Sequence, residues 1–400
     1  MKAILVALKY KTDYDFDISI KELKELCRAC QIEVTHIVTQ AADPNKTTYV
    51  GIGKIKEIRH LIEDEDMVIF NEELTPLQLR NISDLLGIEV KDRTDLILRI
   101  FESRARTKEA KLQVEVARLK YELPRLAGAH EEMYSQQGGS GFRGSGEQQI
   151  EIERRHIRRH MAQVYKELRE VTKERQTQRK RRENMKVVAL VGYTNAGKST
   201  LLNLFTQKKV YSEDMLFATL ETSTRQAVLK NNRTILMSDT VGFISQLPHH
   251  LIEAFKSTLE EVKEADLILH VVDASSPYAN KQIEVTNMVL KELGVETPML
   301  YVYNKCDLEQ EEFIVPRDPY VFISAKNNLH IDKLEDEIIK IIYKDEERIT
   351  LYIPYEEGDL YKKLIRETTL IKEEFQDECI AITIEAPTYY ANKYSRYRKV

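Results

Sequence analysis

The chain has 400 residues, 42% hydrophobic and 31% charged, with 60 Lys and Arg against 65 Asp and Glu for a net charge of −5. This is a globular composition, enough for two to four domains, and it excludes a generally basic nucleic-acid binder. No apolar run approaches a membrane span, the start MKAILVALKYKTDYD turns charged too soon for a signal peptide, and 4 cysteines cannot make a disulfide framework in a chain this long. The expected compartment is the cytoplasm, and the expected state a monomer with no integral membrane contact.

The expected architecture is multidomain α/β. Residues 1–97 form an N-terminal α/β domain, 98–184 a long antiparallel helical hairpin, 185–345 a nucleotide domain and 346–400 a small α+β C-terminal domain. In the first part, Ala3 to Leu8, Glu33 to Val38, Met67 to Phe70 and Ile88 to Val90 are short apolar strands. Helical patterns separate them, as at Ile55 to Ile62 and Pro76 to Leu86, and this alternation predicts mostly parallel strands. Cys27 and Cys30 make a CxxC inside a helical pattern, without a second Cys or His pair nearby. Two small apolar helix residues is the favoured reading. Gly51-Ile52-Gly53-Lys54 sits between a strand and a helix. It could hold a phosphate, but it lacks most of any nucleotide signature, and a structural turn is favoured.

Leu112, Val116, Leu119 and Leu123 repeat at helical seam spacing, as do Ile150, Ile157, Met161, Val164, Leu168 and Val171. Between the two stripes lies the glycine-rich run Gln136 to Gly146, so a hairpin with a long tip is expected. The tip is either a flexible connector or, with Phe142 and Arg143, a probe that moulds to an irregular surface such as RNA. Arg143 to Arg182 carries 13 Lys and Arg against 6 Glu, densest at Arg154-Arg155, Arg158-Arg159 and Arg179 to Arg182. Such a run is a solvated face or a phosphate-contacting one.

The most informative stretch is Gly192-Tyr193-Thr194-Asn195-Ala196-Gly197-Lys198-Ser199-Thr200, between the apolar strand Lys186 to Val191 and an apolar helix. Strand, glycine loop and helix are the parts of a phosphate-binding site. The glycines let backbone N–H groups face phosphate oxygens, Lys198 should reach the β- and γ-phosphates, and the Ser199 hydroxyl should bind Mg²⁺. Three motifs follow in order, each after an apolar strand. In Asp239-Thr240-Val241-Gly242, Asp239 can hold Mg²⁺ through water, and the Gly242 N–H can reach the γ-phosphate. In Asn304-Lys305-Cys306-Asp307, the Asp307 carboxylate can accept from guanine N1–H and the exocyclic amine, a donor pair that adenine lacks. Ser324-Ala325-Lys326 can close over the guanine oxygen. This set resembles the translation-factor-related P-loop GTPases. The mobile Thr that reaches Mg²⁺ with the γ-phosphate is assigned to Thr219, with Thr222, Ser223 and Thr224 as neighbours that could be plain strand residues. Lys198, Thr219 and Gly242 are the candidate catalytic residues, and Ser199, Thr219 and Asp239 the candidate metal ligands.

At the C-terminal end, Ile349 to Ile353 and Ile380 to Ile384 read as strands and Leu360 to Arg366 as a helix between them. From Tyr389 onward aromatic and basic residues interleave, as on an RNA-binding surface or in a frayed tail.

Nearly end to end, the chain resembles the HflX family of ribosome-associated GTPases. The resemblance rests on Tyr49 to Lys54, on Asp92 to Leu98 and on Arg104 to Glu115. It extends to the tip Gly138 to Glu147, and to Asp239 to Ile244 with Leu247-Pro248-His249 after it. It implies GTP hydrolysis coupled to binding the large ribosomal subunit, and the splitting of stalled ribosomes, with the hairpin tip near the peptidyl-transferase region. The chain departs from the family at Ser140, Phe142, Ser145 and Gln148-Gln149 in the tip, which leaves the tip's contacts open. It departs again at Glu221-Thr222 in the first switch, which bears on switch rigidity.

Many GTPases place a water-orienting Gln after the DxxG glycine. Phe243 stands here and cannot hydrogen-bond, so slow hydrolysis alone and stimulation by ribosomes are expected. Asn195 resembles the Asn that helps hold K⁺ in K⁺-stimulated GTPases, and is otherwise a loop-stabilising residue. Two rivals remain: a GTPase of ribosome assembly or tRNA modification, and an RNA-binding or remodelling module that needs only the N-terminal and helical parts.

Overall fold

A computed structural model describes residues 1–10, 16–128, 143–180, 185–206, 217, 223–230, 233–240, 242–244, 248, 251, 261–309 and 314–398, with the backbone alone at 127–128, 143–150 and 175–180. The chain is multidomain α/β.

Four short strands, β1 (Lys2–Leu8), β2 (Glu33–Gln40), β3 (Met67–Phe70) and β4 (Glu89–Asp92), make a parallel sheet in the order β2-β1-β3-β4. Helices α1 (Phe16–Ala29), α2 (Ile52–Leu61) and α3 (Pro76–Leu86) connect them. Local chemistry sets α3: Thr75 and Gln78 form a capping box, Pro76 opens the first turn, and Gly87 at φ 75° ends it in the left-handed region. Cys27 is fully buried on α1 and the Cys30 thiol points at the Leu96 carbonyl, so both are packing residues. Burial pushes the Cys27 thiol up to about 12, which leaves it unreactive.

Helix α4 (Arg93–Arg104) follows β4 directly. Its N-cap, Asp92, is buried and accepts from the Asp95 and Leu74 N–H groups, the Tyr121 hydroxyl and Arg125 Nη2. One carboxylate thus joins the sheet, α4 and the next helix, α5 (Lys108–Gly128). α5 pairs with α6 (Arg143–Lys180) as a hairpin, through Leu112, Val116, Leu119 and Val164, with Ile157, Met161, Leu168 and Val171 alongside. The seam follows the sequence stripes. The tip differs from the sequence reading: Arg143 to Gly146 belong to the first turn of α6, and 136–142 lie outside the described residues.

The nucleotide domain is a mixed sheet of six strands in the order β10-β9-β8-β5-β7-β6. Its strands are β5 (Lys186–Gly192), β6 (Ser223–Val228), β7 (Thr234–Asp239), β8 (Leu267–Asp273), β9 (Met299–Asn304) and β10 (Tyr320–Phe322). All run parallel except β6, an edge strand antiparallel to β7. Helices α7 (Lys198–Thr206), α8 (Ala279–Glu292) and α9 (Ile331–Ile342) accompany the sheet. Ser223 and Thr224 are strand residues, as the sequence allowed.

The last part is an antiparallel sheet in the order β11-β13-β12, of β11 (Glu346–Pro354), β12 (Thr369–Phe375) and β13 (Cys379–Pro387), with α10 (Gly358–Glu367) before β12. A short α11 (Thr388–Lys393) follows. Tyr390, Tyr394 and Tyr397 are buried in this core while Tyr389 is exposed, so three of the four tyrosines in this stretch pack on the sheet rather than offering free stacking faces. Buried Arg233, just before β7, pairs with Glu346 and Glu385 and lies 3.9 Å over the Tyr343 ring. That cluster ties this domain to the base of β7.

The domains share apolar surface. One core runs from Leu23, Leu26, Leu96, Phe101 and Tyr121 into Tyr193, Phe217, Phe243 and Ile244 of the nucleotide domain. Phe101 meets Phe217 edge to face at 4.8 Å, and Arg104 Nη1 donates to the Phe217 carbonyl at 2.8 Å.

Candidate nucleotide site

In an open parallel sheet the carboxyl ends of the strands form the natural ligand crevice. Five loops meet there: Gly192 to Ser199 after β5, Asp239 to Gly242 after β7, Asp273 to Ser276 after β8, Asn304 to Asp307 after β9 and Ser324 to Lys326 after β10.

The first loop needs its glycines. Gly192 has φ 145°, and a Cβ there would lie 2.1 Å from the Val271 carbonyl; Gly197 has φ 96°, and its Cβ would lie 2.2 Å from Asn304 Nδ2. Asn195 also takes the left-handed region, at φ 62°, and is exposed at the crest of the loop. Lys198, buried at the head of α7, donates to the Tyr193 carbonyl at 2.8 Å and the Gly192 carbonyl at 3.1 Å. Burial lowers its pKa to about 8, against the pull of the Asp239 carboxylate. Ala196 and Thr194 are buried, Thr200 half-buried, and Thr194 Oγ1 has no partner among the described residues.

Ser199 Oγ donates to Asp239 Oδ2 at 2.7 Å. A hydroxyl and a buried carboxylate side by side are hard oxygen donors of the kind a divalent cation takes. Thr240 is buried, its hydroxyl on the Leu190 carbonyl at 2.7 Å. Gly242 packs on the loop so tightly that a Cβ would meet Thr194 Cγ2 at 2.9 Å and Lys198 Nζ at 3.0 Å. The next residue extends this contact: the Thr194 N–H donates to the Phe243 carbonyl at 2.8 Å and the Phe243 N–H to the Gly192 carbonyl at 3.1 Å. The Phe243 ring is buried. Val241 and Thr219 lie outside the described residues.

On the other side, buried Asn304 bridges two loops: its Nδ2 donates to the Ala196 carbonyl at 2.9 Å, and its Oδ1 accepts from the Ala325 N–H at 2.9 Å. Lys305, at φ 64°, binds Asp273 Oδ2 at 2.6 Å. Asp307 is exposed and accepts from Asn327 Nδ2 at 2.9 Å, while Ser324 and Ala325 are buried and Lys326 is exposed. The site residues read from sequence that are described thus converge on one crevice. Sequence reasoning missed Asp273, whose signal was an apolar strand ending in Asp. It also missed Glu22 of α1, which accepts the Tyr193 hydroxyl from a position 171 residues away.

A Walker-type loop, a DxxG segment and an NKxD segment on one mixed sheet define a P-loop GTPase. Family models match in three consecutive stretches: a GTP-binding GTPase N-terminal region over 17–102, a GTP-binding GTPase middle region over 104–182, and a 50S ribosome-binding GTPase over 187–305. GTPase HflX of Caldanaerobacter subterraneus subsp. tengcongensis is 46% identical over 394 residues, 96% of this chain and 90% of the relative. GTPase HflX of Escherichia coli K12 is 37% identical over 399 residues, 96% of this chain and 93% of the relative. A crystal structure of a GTP-binding protein from Sulfolobus solfataricus in complex with GDP is 27% identical, covering 86% of this chain and 99% of that one, at a TM-score of 0.44. The chain belongs to the HflX family of GTPases.

Proposed function

We propose that this chain binds GTP in the crevice, hydrolyses it to GDP and phosphate, and uses that cycle to bind the large ribosomal subunit and split stalled or vacant ribosomes. One observation carries the reading: the segment matching a 50S ribosome-binding GTPase is continuous with the hairpin α5–α6, whose second helix presents a basic face.

Within the site, Gly192 to Thr200 cradle the phosphates with backbone N–H groups, and Lys198 places its ammonium on the β- and γ-phosphates. Gly242 senses the γ-phosphate: it rests against Lys198 and Thr194, and a third phosphate must displace it. Asp307 selects guanine, Asn304 holds that loop to the phosphate loop, Lys305 lines the base pocket, and Ser324, Ala325 and Lys326 close over the base. Ser199, Asp239 and Thr219 would hold Mg²⁺, whose bound charge offsets that of the phosphate oxygens. Asn195, exposed at the loop crest, suits K⁺ beside the phosphates.

Phe243 is apolar, buried and tied by its backbone to the phosphate loop, so it cannot orient the attacking water. Hydrolysis is therefore slow alone. Phosphate release from GTP should rise strongly on adding large subunits, and should run faster in K⁺ than in Na⁺ at equal ionic strength until Asn195→Ala removes the difference. A fast basal rate that large subunits leave unchanged would contradict the reading, and wild-type indifference to K⁺ would leave Asn195 a loop residue.

A further inference from the structure

Tyr193 faces two ways. Its backbone belongs to the phosphate loop: the carbonyl takes Lys198 Nζ at 2.8 Å, and the residue bridges in parallel to Phe243. Its side chain leaves the nucleotide domain, buried at 5% exposure, and its hydroxyl donates to Glu22 Oε1 on α1. Glu22 is 7% exposed, and its other oxygen takes Arg93 Nη2, at the start of α4. Arg93 is 2% exposed, and its Nη1 reaches Asn71 Oδ1 at 3.2 Å and the Ser19 carbonyl at 3.3 Å.

A buried carboxylate is costly unless it is paired and hydrogen-bonded, and with the two domains docked the Tyr193 hydroxyl takes one oxygen of Glu22 and Arg93 the other. A Phe at 193 would keep the ring in the same apolar space while removing the bond to Glu22. A phenol on a carboxylate is a charge-assisted bond, shorter and stronger than a neutral one. It fixes the direction of the peptide whose carbonyl orients Lys198. Beside it lies a cleft of about 330 Å³, bounded by Glu22, Glu25, Tyr193, Thr194, Asn195 and Asp273, into which a released loop can move.

We propose that Glu22 is a positioning residue of the nucleotide site: acting through the Tyr193 hydroxyl, it holds the phosphate loop and Lys198 in register, so that guanine-nucleotide retention depends on the seat of the N-terminal domain. This rests on the reading of the crevice as a GTP site.

The test uses the full chain, with Tyr193→Phe, Glu22→Gln and the double variant. Release of a fluorescent GDP, KM and kcat for GTP, and thermal midpoint are measured for each. Tyr193→Phe removes one oxygen and keeps the ring, so its midpoint should stay within a few degrees of wild type while GDP release quickens at least fivefold and KM rises in step. Glu22→Gln should act in the same direction, and the double variant should match the worse single variant, as for two residues sharing one contact. GDP release and KM within twofold of wild type in Tyr193→Phe, or additive effects in the double variant, would overturn the proposal. A wild-type chain that fails to retain guanine nucleotide would instead overturn the functional reading on which it stands.

Discussion

At the scale of single residues, the base-reading side of the crevice offers the sharpest check. Asp307 is the one group there that guanine's paired donors distinguish from adenine's, and replacing its carboxylate with an amide reverses the donor pattern. Asp307→Asn should weaken GTP binding by roughly two orders of magnitude, the scale of one unsatisfied polar group at about 1–3 kcal/mol, and shift preference toward xanthine nucleotides in competition binding. Equal affinity of the wild type for ATP and GTP would refute the assignment.

His270 on β8 gives a second residue-level expectation. Burial, and then the charges of Arg317 and Lys198, push its pKa down to about 3, against a bond with Asn287. A histidine with a depressed folded pKa stays neutral while the unfolded chain takes a proton below about 6.5, so stability is full above that pH and falls as pH drops toward 3. Denaturant unfolding from pH 7 to 4 should lose stability with His270 contributing up to about 1.4 kcal/mol per pH unit. His270→Phe should flatten that slope; an unchanged slope would contradict the burial argument.

At the scale of elements, much was legible because the signals were local. Each nucleotide motif follows an apolar strand, and the strand ends lie together because parallel strands share a carboxyl edge. The hairpin seam was legible too: Val116 and Val164 sit in stripes of helical period and are buried in the same apolar cluster. Edge strand β6 was not, because Ser223 to Val228 mixes Arg, Gln and Thr with few apolar residues and is held by pairing with β7. The C-terminal tyrosines misled because a Tyr/Lys/Arg mixture reads the same whether rings face solvent or a sheet. The Tyr193–Glu22–Arg93 contacts had no local signal, since Glu22 and Arg93 meet only through the tertiary fold and Tyr193 reaches Glu22 from another domain.

The hairpin carries its own prediction. Arg155, Arg158 and Arg159 are exposed and Arg154 half-buried, flanking the Ile157 and Met161 seam positions of α6. If these contact ribosomal RNA phosphates, replacing all four with Gln should weaken large-subunit binding. It should also reduce the slope of log affinity against log salt by about three, at the usual release of somewhat less than one counterion per phosphate contact. Basal GTP hydrolysis should persist, because all four belong to α6 and none to the loops of the crevice. Unaltered affinity at every salt concentration would remove α6 from the interface.

At the scale of the whole molecule, the fold places three segments against the N-terminal part: the loop after β5 through Tyr193, Phe217 ahead of β6, and Phe243 after β7 in the same core. The hairpin α5–α6 leaves from that junction, braced by Asp92 on Tyr121 and Arg125. On the function proposed above, a change of nucleotide that displaces Gly242 would act on the surface from which the hairpin projects. This geometry supports a GTPase whose cycle moves a helical probe relative to a bound subunit. The most direct test is sucrose-gradient sedimentation of vacant ribosomes mixed with this protein and GTP, or a non-hydrolysable analogue, with Lys198→Ala as control. The account expects ribosomes to shift into separate large and small subunits with the protein on the large one, and no shift with Lys198→Ala. Intact ribosomes under every nucleotide condition, with the wild-type protein hydrolysing GTP normally, would contradict it.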